Sequence, residues 1–402
     1  MKNKKSTRLF SPRWGAGGLF TAIFLIATLF VNAQTNSLRI NSNIFLPKDS
    51  VETASLITAL NNFLIAAQQP NEENQFVYAP EKLETFILLD EINGIGKAGK
   101  DNFFYKPYLT NVVPLKDAQY LIQVSYIGIK DSIAFLRASF ELIAHKENNS
   151  FVVSSPLIRN TKNWKIEKAG NNIFHYQNTI NKQKVNEFSK LAASFDAKLK
   201  VPDNKVTDYY CTDNIIELQK LIGIDYKVDY NGRTESTFSS AFENRKLIIL
   251  GNSNATFSNF DPHDLFHDRL SLVISPSKVY KPLNEACAYL YGGSWGISWK
   301  DIFKRFKEKV ASDKNINWME VKETPLNFGE SQQLHLIADY VVDALIVQKL
   351  EKEKGFDAVW KLLTCGKWEK GNEDFYKTLE KLTGITKANY NEKIWELINN
   401  EK

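Results

Sequence analysis

The chain has 402 residues, of which 43% are hydrophobic and 24% charged, ordinary values for a globular protein with a well-buried core. Its formal net charge of +5 arises from 51 Lys and Arg residues against 46 Asp and Glu residues. Five of those basic residues precede position 14, so the remainder of the chain is electrically neutral, which argues against nucleic-acid binding.

The first 33 residues have the pattern of a secretory signal peptide. Basic residues precede an apolar run at positions 19–31, and Val31 and Ala33 stand ahead of Gln34 at the positions that a signal peptidase reads. The apolar run is too short for a membrane span. We therefore predict export to the periplasm, the cell envelope or the extracellular space, with no transmembrane span in the mature chain.

Three cysteines, Cys211, Cys287 and Cys365, are too few for a disulfide framework. In an oxidising compartment they could form one bridge and leave one thiol over. Cys287 lies in a small apolar helical segment, so we predict a buried thiol at that position.

Residues 34–168 predict an α+β domain. Apolar residues recur at helical spacing over 49–67, and a second helix begins near Pro80 after a polar loop. Alternating or apolar strands then follow at 119–128, 133–144, 150–156 and 164–169. This order of elements resembles that of the cone-shaped nuclear-transport-factor and cystatin-like domains. The half carries no evident chemistry, and His145, next to a polar turn, is predicted to be structural.

Residues 170–402 predict a second domain, mixed at first and then helical. A helix is expected over 181–197, a strand over 206–211, a helix over 215–221 and a strand over 245–250. Helical periodicity returns over 334–350, 356–363, 375–382 and 390–398, which indicates a helical bundle at the end of the chain. The basic residues between Lys304 and Lys309 are predicted to form the solvent-facing side of a helix.

Residues 261–270, with the sequence DPHDLFHDRL, carry the strongest functional signal. Asp261 suits the N-cap of a helix, and Pro262 suits its first turn. His263 and His267 are then four residues apart on one helix face, with Cβ atoms about 5–6 Å apart. Two such imidazoles can bind a common Zn²⁺ at about 2.0–2.1 Å, and HDxxH differs by one methylene from the HExxH motif of metallopeptidases.

A third ligand is offered by residues 283–293, LNEACAYLYGG, which predict a helix that begins after Pro282 and ends at a glycine pair. Here the chain resembles the gluzincins, the clan that includes thermolysin and many aminopeptidases. In that clan a second helix supplies a glutamate, often within an Asn-Glu-Gly/Ala-x-Ala-Tyr run, and Glu285 occupies this place. The resemblance covers residues 170–402. It implies one Zn²⁺ held by His263, His267 and Glu285, with a fourth position open for water. It also implies that the strand at 245–250 is the sheet edge that binds an extended substrate.

Asp264 stands where the family has its general-base glutamate. The aspartate carboxylate reaches about 1.5 Å less far, whereas proton transfer needs contact at about 2.6–3.2 Å. The family stabilises its transition state with a Tyr or His from the following helical region, which implies His335 and, after it, Tyr340. Asp268 either orients a ligand imidazole or is a solvated helix charge.

The leading prediction is an exported zinc-dependent peptidase that acts on a peptide or protein substrate. The alternative is an inactive pseudopeptidase that binds a peptide or partner without turnover. Retention of all three ligands favours the enzyme, and the exchange of glutamate for Asp264 favours the binding module. A third hypothesis is a structural protein of the cell envelope whose N-terminal domain binds a partner protein. The sequence indicates neither the oligomeric state nor the cleavage specificity.

Overall fold

The computed structural model describes residues 37–41, 43–329 and 334–401. The predicted signal peptide, residues 1–33, lies outside the described residues. The chain is of the α+β class, as predicted, and it divides into two compact units. Of the described residues, one unit contains those up to Lys162 together with Ile215–Thr234, and the other contains those of Asn163–Asn214 and Glu235–Lys402.

This division differs from the predicted domains, residues 34–168 and 170–402. The predicted strand at 164–169 is present as Lys165–Ala169, but it pairs in the sheet of the second unit. The predicted helix at 215–221 is also present, but it belongs to the first unit. The local pattern of a segment predicts its secondary structure and carries no information on its pairing partner, which accounts for both differences.

The first unit contains a six-stranded sheet with helices packed against it. Its elements are β1 (Arg39–Ile40), α1 (Ser50–Ala66), α2 (Lys82–Ile92), β2 (Lys106–Pro114), β3 (Gln119–Lys130), β4 (Ile133–Glu147), β5 (Ser150–Ser154), α3 (Leu157–Asn160), α5 (Ile215–Ile222) and β9 (Ile224–Lys227). The strands lie in the order β1-β2-β3-β4-β5, and β9 also pairs with β4. The Asp49 carboxylate caps α1 by accepting the Glu52 N–H at 2.8 Å, and α1 packs on β5. Strand β2 was not predicted.

His145 on β4 has the structural role expected of it. Its ring is 7% exposed and stacks on Tyr78. Nδ1 lies 3.3 Å from the side-chain amide nitrogen of Gln119, and Nε2 lies 2.8 Å from the Ser154 hydroxyl. The amide donates to Nδ1, so the neutral tautomer with its proton on Nε2 satisfies both contacts.

The second unit combines a five-stranded sheet with nine α-helices over its described residues. These elements are β6 (Lys165–Ala169), β7 (Asn172–Tyr176), α4 (Lys182–Leu199), β8 (Val206–Thr212), β10 (Ser236–Phe242), β11 (Arg245–Gly251), α6 (Pro262–Leu270), α7 (Lys281–Gly292), α8 (Trp299–Lys309), α9 (Trp318–Glu323), α10 (Ala338–Lys354), α11 (Phe356–Leu363), α12 (Glu373–Thr383) and α13 (Tyr390–Asn400). The basic residues near Lys304 lie on the exposed side of α8, as predicted.

The sheet of the second unit has the strand order β10-β11-β8-β7-β6. Strand β11 runs parallel to β8 on one side and antiparallel to β10 on the other. The prediction that the strand at 245–250 forms the sheet edge is therefore wrong, because β10 covers it and is itself the edge. The side chains of Leu247, Ile248 and Ile249 are all buried, which fits an interior strand with both faces covered.

Two ion pairs fix the position of α6. The guanidinium of Arg269 is fully buried and binds the Asp196 carboxylate on α4 in a bidentate pair, at 2.6 and 2.7 Å. Lys246 on β11 donates to the Asp268 carboxylate at 2.8 Å. Asp268 therefore ties α6 to the sheet, and it does not orient a ligand imidazole.

The three cysteines are all free, and Cys287 is fully buried as predicted. Within the described part of the chain, no helix combines the length and apolar character that a bilayer crossing requires.

Candidate metal centre

The helix α6 presents both histidines on one face. Its N-cap is Asp261, whose carboxylate accepts the His263 N–H at 2.9 Å, and Pro262 lies in the first turn. Leu265 and Phe266 are buried in the core of the unit. The polar face that carries the two imidazoles is therefore held in register by apolar packing behind it.

The helix α7 brings Glu285 to the same place. Its last residue, Gly292, lies against the start of α6. A Cβ atom added at Gly292 would come within 2.5 Å of the His263 backbone nitrogen and of the Pro262 carbonyl carbon. Only glycine permits so close an approach of two backbones. This contact sets the separation of the two helices at the site.

Three donor atoms converge between the helices. The Nε2 atoms of His263 and His267 are 3.1 Å apart, and Glu285 Oε2 lies 3.4 Å from the first and 3.6 Å from the second. A triangle with these edges has a point about 2.0 Å from all three corners, which matches the Zn–N and Zn–O distances of about 2.0–2.2 Å. The same three residues form the sole group of at least three His, Cys, Asp or Glu side chains suited to a metal among the described residues.

The other nitrogen of each ring is already engaged. His263 Nδ1 donates to the Gly293 carbonyl at 2.8 Å, and His267 Nδ1 donates to the Asn284 side-chain oxygen at 3.0 Å. Each contact places the ring proton on Nδ1, because the acceptors are carbonyl oxygens. Both Nε2 lone pairs therefore point toward the shared position, as metal-ligating histidines require.

The Glu285 carboxylate attracts positive charge to the shared position, whether that charge is a proton on a ring Nε2 or a metal ion. Burial acts to raise the pKa of Glu285, but the contacts with His263 and His267 outweigh it and lower the pKa to about 2. Burial likewise acts to lower the pKa of His263, and the contacts with Glu285 and the Gly293 carbonyl outweigh it and raise the pKa. The carboxylate is thus ionised at neutral pH. Two imidazoles and one carboxylate with oriented lone pairs fit a divalent ion such as Zn²⁺.

A cavity of about 470 Å³ opens beside the donor atoms. Its walls include His263 and Glu285 together with all three residues proposed for catalysis, Asp264, His335 and Tyr340. Asp264 is exposed, and none of the described residues donates a hydrogen bond to its carboxylate. The cavity walls nevertheless desolvate part of the side chain, and this desolvation, followed by the negative charge of Asp261, raises the pKa of Asp264.

His335 and Tyr340 both present donors. The Asn327 side-chain oxygen accepts the N–H groups of Gly329 and Leu336, so its amide nitrogen faces His335 Nδ1, at 3.3 Å. The proton of His335 is then on Nε2, which is a donor. Burial, with a smaller effect of Glu285, raises the pKa of Tyr340 to about 12, so its hydroxyl keeps its proton at neutral pH.

A second cavity, of about 520 Å³, also borders α6. It shares Asp261 and Asp264 with the first cavity, and it reaches from His267 to Thr237 on the edge strand β10. Phenylalanines supply much of its apolar wall, namely Phe188, Phe257 and Phe260. The candidate metal donors therefore line two cavities: His263 and Glu285 line the first, and His267 lines the second, which reaches the sheet.

The structure adds supporting residues that the sequence analysis did not assign. Asn284 directly precedes Glu285 in the Asn-Glu run, and that adjacency could have identified it as the partner of His267. Apart from the glycine pair, nothing in the sequence indicated that the Gly293 carbonyl would orient the His263 ring. Arg269 gave no signal at all, because a buried arginine has the same helical spacing as a solvated one.

No protein-family model matches this chain, and no curated protein matches it either. The geometry of the site therefore carries the functional argument.

Proposed function

We propose that the second unit is a zinc-dependent peptidase domain of an exported protein, and that it hydrolyses peptide bonds. The observation that carries the proposal is the convergence of His263 Nε2, His267 Nε2 and Glu285 Oε2 to within 3.1–3.6 Å of one another. When bound there, Zn²⁺ would supply Lewis acidity that polarises a peptide carbonyl and activates water.

The surrounding residues supply the groups that peptide hydrolysis needs. Asp264 offers a carboxylate that can accept a proton at the edge of the site. Tyr340 and His335 offer an O–H and an N–H donor to the oxyanion that develops during attack on a carbonyl. Among the described strands β10 pairs only with β11, so an extended peptide could add to its other side through main-chain hydrogen bonds. The second cavity connects this edge to His267 and Asp264.

The alternative function is a pseudopeptidase that binds a peptide or partner without turnover. Asp264 favours it, because its carboxylate is one methylene shorter than glutamate and no described residue aims it through a hydrogen bond. The two functions share the metal and differ in hydrolysis.

Zinc content tests the shared part. The chain lacking residues 1–33 is to be purified, reconstituted with zinc and analysed by inductively coupled plasma mass spectrometry. We expect about one zinc per chain, lost in His263→Ala and Glu285→Ala. His335→Ala is the matched control, since it removes an imidazole of the same cavity that is not among the three converging donors, and it should retain zinc. Metal-free wild-type protein after reconstitution would refute both functions.

A further inference from the structure

The turn that follows α7 holds a tryptophan in an unfavourable backbone conformation. Trp295 has φ = 54°, in the left-handed region that large side chains rarely adopt. The turn is closed by two hydrogen bonds, from Ser294 N to Ile297 O at 3.0 Å and from Ile297 N to Ser294 O at 2.9 Å. Its first residue, Gly293, provides the carbonyl that orients His263. The turn therefore contributes directly to the orientation of a candidate metal ligand.

The side chain of Trp295 lies at the cavity and is poorly buried. It is 59% exposed, and it lines the same cavity as His263, Glu285 and Asp264. Its indole N–H donates to the His335 carbonyl at 3.2 Å, which holds the ring in one orientation. The buried Tyr289 hydroxyl donates to the same carbonyl at 3.3 Å.

Neither the backbone nor the core accounts for a tryptophan at this position. Glycine or asparagine would adopt the left-handed conformation at lower cost. A ring that stays more than half exposed adds little to the apolar burial of the unit. Strained residues of this kind occur at ligand sites, where the surrounding structure holds them in place. What the position provides is an exposed indole that lines the same cavity as His263 and Glu285.

We infer that Trp295 is a substrate-contacting residue that forms an aromatic wall of the cavity and selects substrates with an aromatic or large aliphatic side chain next to the scissile bond. The inference rests on the proposed function and deepens it by naming the substrate class. A flat ring packs well against another ring or a branched alkyl chain, and such contacts add to the area they bury. Tyr340, which lines the same cavity, extends the aromatic surface.

The test uses binding, so that it does not depend on turnover. Peptidyl hydroxamates, whose hydroxamate group coordinates zinc, are prepared with Phe, Leu or Ala next to that group. Their affinities for the zinc-loaded chain lacking residues 1–33 are measured by isothermal titration calorimetry. We expect wild type to bind the Phe and Leu compounds about tenfold more tightly than the Ala compound, within the usual range for apolar pockets.

Two substitutions separate the ring from the fold. Trp295→Asn suits the left-handed backbone, so the fold and the bound zinc should persist while the preference for the Phe and Leu compounds over the Ala compound disappears. Trp295→Phe should retain the preference, because it keeps a ring without the N–H. Trp368→Ala is the matched control, since Trp368 is also exposed, at 44%, and does not line the cavity.

Three results would overturn the inference in distinguishable ways. Equal affinities of the three compounds for wild type would remove the selectivity and leave the metal site intact. A preference that persists in Trp295→Asn would assign it to other residues. A protein that binds no zinc would end the proposed function, and the inference with it.

Discussion

The length of the side chain at position 264 distinguishes a peptidase from a binding module. Asp264→Glu extends the carboxylate by one methylene, about 1.5 Å. The extension meets open space, because the carboxylate is exposed and borders cavities of about 470 and 520 Å³. We therefore expect the substitution to change the free energy of unfolding by no more than about 0.5 kcal/mol, as surface substitutions usually do.

The effect on rate should be much larger. A well-placed general base contributes about 10²–10⁴-fold, and each tenfold step corresponds to about 1.4 kcal/mol of activation free energy. If the aspartate is a base that falls short, glutamate should raise kcat/KM by at least about tenfold, within that range. Asp264→Asn keeps the size of the side chain but cannot accept the proton, so it should abolish activity.

The assay compares wild type, Asp264→Glu and Asp264→Asn on a broad peptide library, with zinc content measured for each. Asp268→Glu is the matched control, because it adds the same methylene to a carboxylate of the same helix that is held by Lys246. It should not raise hydrolysis. If Asp264→Glu lowers activity, the helix position suits aspartate and the longer side chain crowds the site. Three equally inert, zinc-loaded proteins would refute the peptidase and leave the binding module.

Three further predictions concern the supports of the fold and the site. Asn284→Ala should weaken zinc affinity by about 10–100-fold in a competition titration with a chelator, because it removes the side-chain oxygen that orients the His267 ring. The control Asn259→Ala, at the second cavity, should leave zinc affinity unchanged. Lys322→Met should lower the free energy of unfolding in urea by about 3–5 kcal/mol, because it leaves the buried carboxylates of Asp339 and Asp343 without their cation. The surface substitution Lys349→Met should cost at most about 1 kcal/mol, and equal losses would contradict the argument. Burial lowers the pKa of His145 to about 4 in the folded protein. As the pH falls below about 6.5, His145 therefore becomes protonated in the unfolded chain while it stays neutral in the folded one. In urea unfolding, the stability of wild type relative to His145→Gln should therefore fall by about 2 kcal/mol between pH 7 and pH 5.

The sequence predicted most elements because their packing is visible in local periodicity. The helix at 356–363 agrees with α11 at both ends, and the predicted helix at 49–67 differs from α1 by one residue at each end. Strand β2 escaped prediction because prolines lie at its second and last positions, and proline is depleted in strands. Residues 245–250 form a strand, as predicted. Whether that strand is the edge of the sheet depends on β10, whose sequence STFSSAF is rich in serine.

The site was predictable to the extent that its residues are neighbours on a helix. His263 and His267 share a face by spacing alone, and the Asn-Glu run singled out Glu285. The contact of Gly292 with His263 and the pairing of Arg269 with Asp196 join segments that are distant along the chain. Such contacts depend on tertiary packing, and a single sequence does not display them.

The candidate metal donors and the proposed oxyanion donors are held by different contacts, although α7 contributes to both. The three converging atoms and the groups that orient them all come from α6, α7 and the residue after α7, and the backbone contact at Gly292 fixes their spacing. His335 and Tyr340 belong instead to the segment that enters α10, which Tyr289 and Trp295 fasten through the His335 carbonyl. A change in this second support could abolish turnover while the first still holds zinc. A zinc-loaded but inert protein is thus physically consistent, and the peptidase and the pseudopeptidase must be separated by hydrolysis at defined zinc occupancy.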